Sequence, residues 1–107
     1  MRISEAQARA YETAKGKGWH DEERSFGDIA SLIHTEVSEA VEAYRSEGLE
    51  IWYRDDGKPE GVPYELADVV VRVMDWFGSQ GLELEEFLQT KMRFNATRSR
   101  RHGGKRL

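Results

Sequence analysis

The sequence predicts an all-α protein, a single domain over residues 1–107 that folds as a four-helix bundle. Apolar residues recur at spacings of three and four in four segments, as they do along one face of a helix. Turns that contain glycine or proline separate these segments. A chain of this length buries only about 60–65% of its unfolded surface. We therefore expect homo-oligomerisation, as a dimer or a tetramer, to complete the bundle.

The first two predicted helices lie in the N-terminal half of the chain. The first spans about residues 3–15, where Ser4 and Gln7 have the spacing of a capping box. The second spans about residues 28–47, with Asp28 as its N-cap. A glycine follows the last residue of each segment, as is common where helices end.

The other two predicted helices follow a turn-rich loop at residues 48–62. In this loop, residues 51–53 favour a short extended segment rather than a pair of strands. The third helix begins near Pro63, because proline is favoured in a first helical turn, and it ends between Gly78 and Gly81. The fourth helix spans about residues 84–101.

The composition excludes several classes of protein. The chain has no cysteine, which excludes disulfides, thiolate zinc sites and cysteine nucleophiles. No run approaches the ~20 apolar residues that a membrane span requires, and the first residues lack the apolar core of a signal peptide. We therefore expect a cytoplasmic protein that does not enter a membrane.

The net charge of −4 conceals an asymmetry along the chain. All 20 acidic residues precede residue 87, whereas seven of the 16 basic residues lie in residues 91–107. The first 90 residues therefore hold nine basic and 20 acidic residues, a net charge of −11. An acidic body with a basic tail suits a polyphosphate held between a metal and cations. It suits a nucleic-acid-binding tail equally well.

Two pairs of acids lie in separate predicted helices: Glu36 with Glu39, and Glu65 with Asp68. A spacing of three residues places both members of a pair on one helix face. Two such helices side by side would gather four carboxylates, whose mutual repulsion is about 3–4 kcal/mol per pair at an effective dielectric near 20. A divalent cation with a preference for oxygen ligands, such as Mg²⁺, would offset this repulsion.

Glu36 is the most informative of these acids. It falls in the middle of the apolar stripe of the second helix, whereas Glu39 lies at the edge of the stripe and Glu42 points away. Because an unpaired buried carboxylate costs several kcal/mol, Glu36 should have a partner, and a metal is the simplest one. The ordinary alternative, an acid at the boundary of a charged helix, is adequate for Glu39.

The third helix is apolar over most of its circumference, and its charged residues fall in one arc of about 80°. These residues are Glu65, Asp68, Arg72 and Asp75. A single polar stripe is also what an ordinary surface helix shows. The wide apolar arc nevertheless predicts a helix that is buried on most sides, partly by another subunit, with its polar stripe facing an internal cleft. Arg72 would act as a structural counter-charge to the acids.

The fourth helix places polar donors on its apolar face. Lys91, Asn95 and Arg98 follow one another there at i, i+4 and i+7. Lysine and arginine can extend their charged ends from an apolar surface into water, but this does not explain Asn95. Three donors in line beside an acidic cluster would suit phosphate and metal together.

The chain resembles the MazG-like all-α nucleoside triphosphate pyrophosphohydrolases over about residues 15–105. The resemblance is carried by Gly18-Trp19, the two acid pairs, residues 63–72, the Lys91, Asn95 and Arg98 row, and residues 102–105. It implies a helical dimer or tetramer that binds Mg²⁺, with Mn²⁺ as an alternative. The family cleaves a nucleoside triphosphate between its α- and β-phosphates, which yields a nucleoside monophosphate and pyrophosphate.

The resemblance also implies roles for individual residues. The four acids would be metal ligands, and Glu36 or Glu39 would be the general base. The row on the fourth helix, together with Lys105, would contact phosphate. Trp19 is the candidate for stacking on a base, and filling a gap in the core is its ordinary alternative. Two rival functions stay open: a nucleic-acid-binding helical protein that uses the basic tail, and a non-catalytic nucleotide-binding relative.

Overall fold

The chain forms four α-helices and one short β-hairpin, as seen in a computed structural model that describes residues 1–99. In order, the elements are α1 (Ile3–Gly16), α2 (Phe26–Glu47), β1 (Trp52–Tyr53), β2 (Pro59–Glu60), α3 (Val62–Ser79) and α4 (Leu84–Thr97). The predominantly helical prediction is confirmed. No helix in residues 1–99 combines the length and the apolar character that crossing a membrane requires.

Helix α3 is the centre of the packing, because both α1 and α2 lie against it. The approach of α1 is close: a Cβ on Gly78 would lie 2.6 Å from the Cβ of Tyr11. Helix α4 packs mainly against α1, and the Phe77 and Phe87 rings, 5.7 Å apart, connect it to α3. The helix that carries Glu65 and Asp68 is therefore held from two sides.

The capping box predicted at Ser4 and Gln7 is wrong. Helix α1 begins after Arg2 without a side-chain cap, and the Gln7 side chain is buried against the turn between α3 and α4. Its amide nitrogen donates to the Leu82 carbonyl at 2.7 Å, and its amide oxygen accepts from the Leu84 backbone N–H at 2.9 Å. Gln7 thus satisfies a free N–H at the start of α4 rather than one in its own helix.

Two predicted helix boundaries also differ from the structure. Ser25, not Asp28, is the N-cap of α2, because its hydroxyl accepts from the Asp28 backbone N–H at 3.1 Å. Helix α4 ends at Thr97 instead of near residue 101, and Arg98 is already extended, with a φ of −75° and a ψ of 153°. The predicted helical residues beyond 99 lie outside the described part of the chain.

The loop at residues 48–62 contains a paired hairpin where the sequence favoured an unpaired extended segment. Strands β1 and β2 are antiparallel, with Trp52 opposite Glu60. The turn between them depends on Gly57, whose φ is +88°, and on the Lys58 backbone N–H, which donates to the Asp56 carboxylate at 3.0 Å. Polar turn residues, which carry no helical or strand periodicity, therefore determine this element.

Few apolar side chains are buried in the single chain. Within residues 1–99, the buried hydrophobic residues are Ala14 and Ala40 alone. Leu66 and Val70 on α3 are 49% and 52% exposed in the single chain, so burial of α3 on most sides would require the second subunit that the prediction includes. Other large apolar residues of α2 are also exposed: Val37, Val41 and Tyr44.

Candidate metal and phosphate site

Helices α2 and α3 bring three of the four predicted acids together. Carboxylate oxygens of Glu36, Glu65 and Asp68 all lie within 4.8 Å of one another. Glu36 faces α3 from the middle of α2, and Glu65 and Asp68 are on one face of α3 because they are three residues apart. We call these three residues the acid cluster.

Glu39, the fourth predicted acid, lies beside the cluster rather than in it. It is one turn further along α2 than Glu36 and is exposed, and it is not among the residues whose oxygens lie within 4.8 Å of one another. Its negative charge nevertheless helps to raise the pKa of Glu65. The two carboxylates are therefore electrostatic neighbours.

The environment of the cluster disfavours charged carboxylates. Partial burial is the main cause that raises the pKa of Glu65, followed by the negative charges of Glu39 and Asp68. Partial burial also raises the pKa of Asp68, with a contribution from Glu36, while Arg72 and Lys58 lower it. Each carboxyl therefore favours a proton, or another cation, more than it would in water.

Arg72 is the partner of Glu36 within the chain. Its Nε donates to Glu36 Oε1 at 3.2 Å, and Glu36 is only 8% exposed. The prediction that Arg72 serves as a counter-charge is confirmed. The expectation that Glu36 has a partner is also confirmed, although the partner that the structure contains is a guanidinium.

Trp19 lies against this same guanidinium. The Arg72 Cζ is 3.9 Å from the centroid of the Trp19 ring, close enough for a cation–π interaction. On the N-terminal side of α2, Arg24 lies 5.1 Å from the ring and donates from its Nε to the Trp19 carbonyl at 3.0 Å. Trp19 thus helps to position Arg72, and both line an apolar groove of about 370 Å³ between α1 and α3.

The charged residues of α3 take part in two separate groups of contacts, the acid cluster and a pair between Asp75 and His20. Asp75, at the C-terminal end of α3, is 5% exposed and pairs with His20, whose Nε2 lies 2.7 Å from Asp75 Oδ1. The His20 ring in turn packs against Tyr11 at 5.3 Å. The sequence did not predict this pair, because the two residues are 55 positions apart and neither has a motif around it.

The donors predicted on the fourth helix lie at the protein surface. Lys91, Asn95 and Arg98 are all exposed. The Lys91 Nζ and the Arg98 Cζ lie 5.8 Å and 5.7 Å from the Phe94 ring. In the described part of the chain, no hydrogen bond or ion pair joins these residues to the acid cluster. Lys105, the last predicted phosphate contact, lies outside the described residues.

The hairpin supplies a cation near the cluster that the sequence reasoning missed. The Lys58 Nζ lies 3.1 Å from Glu60 Oε1, and its positive charge lowers the pKa of both Glu65 and Asp68. Lys58 sits in a loop without periodicity, so no helical spacing related it to the acids. The sequence indicated only that Lys58 follows Asp56-Gly57 in a turn, where the chain reverses direction.

The donors of the acid cluster fit a hard divalent cation. Three carboxylate oxygens from two helices are close enough to share one ion, and Mg²⁺ and Mn²⁺ both prefer such ligands. The carboxyl pKa values of Glu65 and Asp68 are raised first by partial burial and then by the neighbouring acids, and a bound cation would offset both effects. Comparisons with protein families, with curated proteins and with solved structures found no match to this chain.

Proposed function

We propose that this protein is a Mg²⁺-dependent nucleoside triphosphate pyrophosphohydrolase of the MazG-like type, which cleaves between the α- and β-phosphates. The observation that supports this proposal most is the acid cluster, in which Glu36, Glu65 and Asp68 bring carboxylate oxygens within 4.8 Å of one another. The products would be a nucleoside monophosphate and pyrophosphate. The cytoplasm, which contains both Mg²⁺ and nucleoside triphosphates, is the compartment that this activity requires.

The acid cluster would hold Mg²⁺, or Mn²⁺ in its place. When bound, the ion would neutralise phosphate charge and lower the pKa of a coordinated water. Glu39 is the better candidate for general base of the two acids that the sequence suggested. It is exposed beside Glu65, whereas one oxygen of Glu36 already accepts from Arg72. An accessible carboxylate within reach of the attacking water can accept its proton.

Phosphate binding would require the residues of α4 and the association of two or four subunits. Lys91, Asn95 and Arg98 would bind the phosphates, with Lys105 from the tail, and the leaving pyrophosphate would be stabilised by their charges. A homodimer or homotetramer is supported by the large apolar residues that α2 and α3 leave exposed, among them Val41 and Val70. The groove beside Trp19 is where a base would lie.

A panel of canonical and modified nucleoside triphosphates tests this proposal. Each is incubated with the protein and Mg²⁺, and pyrophosphate and orthophosphate are measured separately. We expect pyrophosphate as the first product and no release when the metal is chelated. Orthophosphate as the first product would move the cleavage site, and nucleotide binding without turnover would favour the non-catalytic relative.

A second candidate function is nucleic-acid binding through α4 and the basic tail. The exposure of Lys91 and Arg93 on α4, and of Arg98 directly after it, favours this second function. It predicts DNA or RNA binding that weakens steeply with salt and that survives replacement of Glu36 and Asp68 by their amides. Binding that depends on the acids and on Mg²⁺ would instead support the pyrophosphohydrolase.

A further inference from the structure

The turn that ends helix α1 fixes the position of Trp19. The Gly18 backbone N–H donates to the Lys15 carbonyl at 3.1 Å. The Trp19 backbone N–H donates to the Ala14 carbonyl at 3.0 Å. These are the two hydrogen bonds of a Schellman motif, which requires the left-handed conformation that Gly18 adopts with a φ of +86°. Gly18 and the last turn of α1 therefore determine where the indole leaves the backbone.

Arg24 holds the same residue from the chain that leads into α2. Its Nε donates to the Trp19 carbonyl at 3.0 Å, and its guanidinium lies 5.1 Å from the centroid of the indole. The backbone N–H and the carbonyl of Trp19 are thus both hydrogen-bonded. Since these contacts lie within residues 14–24, a short local segment anchors the indole beside α3.

The anchored indole contacts the cation that binds Glu36. The Arg72 Cζ lies 3.9 Å from the ring centroid, and the Arg72 Nε donates to Glu36 Oε1 at 3.2 Å. The side chains of Arg72 and Glu36 are 24% and 11% exposed, and a cation–π contact is stronger when it is partly desolvated. Because a guanidinium is planar, packing against a ring limits the directions of its N–H groups. The indole therefore restricts how Arg72 meets the carboxylate.

We propose that Trp19 is a positioning residue of the metal site, which acts through Arg72 to hold Glu36 in the orientation that a divalent cation requires. The inference rests on the proposed function, because it takes the acid cluster as the site of the ion. A carboxylate that accepts from Arg72 through one oxygen can present its other oxygen to an ion. Glu36 is the acid that α2 contributes to the cluster, so its orientation decides whether both helices can bind one ion.

The charge of Arg72 and its orientation have opposite effects on the site. A positive charge close to the cluster opposes the binding of a cation, whereas a fixed hydrogen bond to Glu36 favours it. Removal of the indole leaves the charge in place and removes only the surface that orients it. Loss of a hydrogen-bond partner of a metal ligand lowers metal affinity by about 10–100-fold. Loss of its orientation should fall at the lower end of this range.

The experiment measures Mn²⁺ binding to the full chain and its variants by isothermal titration calorimetry, without nucleotide, so that stacking on a base plays no part. We expect Trp19→Leu to weaken Mn²⁺ binding about tenfold. Trp19→Phe, which keeps a ring against the guanidinium, should weaken it by less than about threefold. Trp52→Leu is the control, because it removes an indole that is 41% exposed on the hairpin, and its affinity should equal that of the wild type.

A double-mutant cycle tests whether Trp19 acts through Arg72. In the Arg72→Met background, Trp19→Leu should change Mn²⁺ affinity by less than about twofold, because the guanidinium that the indole positions is already gone. An undiminished effect in that background would overturn the inference. Circular dichroism verifies that each variant is folded. If the double variant does not fold, the comparison of Trp19→Leu with Trp19→Phe decides.

Two other results would also overturn the inference. One is wild-type Mn²⁺ affinity in Trp19→Leu together with a lower Tm, which would make the indole a purely structural group. The other is an equal loss of affinity in Trp19→Leu and Trp19→Phe.

Failure of this inference is distinguishable from failure of the proposed function. Wild-type Mn²⁺ affinity in Trp19→Leu would refute the inference and leave the proposed reaction intact. If the wild type binds Mn²⁺ but hydrolyses no nucleotide, the variants still test the role of Trp19. If the wild type binds no Mn²⁺, the metal site is refuted, and with it both proposals.

Discussion

The α2–α3 pair and helix α4 carry the two halves of the candidate site in very different settings. On α2 and α3, packing of two helices brings Glu36, Glu65 and Asp68 together, with Arg72 as an internal counter-charge. On α4, Lys91 and Asn95 are exposed on a helix that packs mainly against α1. Packing within one chain therefore positions the acidic half of the candidate site, whereas the described contacts of the chain do not position the basic half.

This difference follows from what each helix has to bury. Glu36 sits on an apolar stripe that faces α3, so the contacts that fold the protein also place its carboxylate. Phe94 on α4 is exposed. In residues 1–99, the contacts described for the Lys91 and Arg98 side chains are with the Phe94 ring, so no other helix fixes their direction. Substitutions in the acid cluster or at Arg72 should therefore change both stability and activity. Substitutions of the exposed residues on α4 should change substrate binding alone.

Glu36→Gln should have the largest effect. We expect pyrophosphate release to fall at least about 100-fold, comparable to loss of a principal transition-state contact, because the cluster loses a charged ligand. Glu42→Gln, an exposed acid on the same helix, is the control and should retain wild-type turnover. Circular dichroism verifies that both variants are folded. Near-normal turnover by the folded Glu36 variant would remove this acid from the mechanism.

Arg72→Met should lower the free energy of unfolding by about 2–3 kcal/mol without divalent ions, since it leaves the carboxylate of buried Glu36 without its hydrogen-bond donor. Saturating Mg²⁺ should restore part of this loss by supplying another positive charge. Urea unfolding with and without the ion measures both values. Arg93→Met, an exposed cation on α4, should change stability by less than about 0.5 kcal/mol. Equal effects of the two variants would contradict the contrast between the helices.

Lys91→Ala should reduce kcat/KM for a nucleoside triphosphate by about 10-fold or more, because a charge-assisted contact to phosphate is lost. Its Tm should not change, since the side chain is exposed. Arg93→Ala is the control for loss of a charge on the same helix. If neither variant alters the kinetics, α4 is not the cationic half of the site.

The pH dependence of stability should show the smallest effect. The raised carboxyl pKa values of Glu65 and Asp68 mean that the folded chain binds protons there more tightly than the unfolded chain. Without metal, stability should therefore decrease as pH rises from about 4 through the raised pKa values, by about 1 kcal/mol or less because both groups retain solvent access. Thermal unfolding across pH measures this slope. Glu65→Gln with Asp68→Asn should flatten it, and an unchanged slope would contradict the assignment.

The sequence predicted the helical class and the gathering of acids because both follow from periodicity. Glu36 in an apolar stripe implied burial with a partner, and Arg72 among acids implied a counter-charge; the structure shows both. Asp68 and Glu65 meet Glu36 because helical spacing fixes the faces of α2 and α3.

Features that depend on contacts distant in the sequence were not predictable in the same way. Gln7 suggested a local cap but bonds across the fold to the start of α4. The pair of His20 and Asp75 joins two segments that share no pattern. Lys58 acts near the cluster only because a turn folds back over α3, and turn residues reveal a reversal of the chain without revealing what it approaches.

The contact between Arg72 and Trp19 should couple the acid cluster to the fluorescence of the indole ring. The guanidinium that lies over the indole is also bound to Glu36, so any ion that draws Glu36 away changes the electric field at the ring. Indole emission responds to such fields, and replacing Trp52 and Trp76 by phenylalanine would isolate the signal of Trp19. If the acid cluster binds a metal as proposed, Trp19 emission would report its occupancy without any added dye or nucleotide.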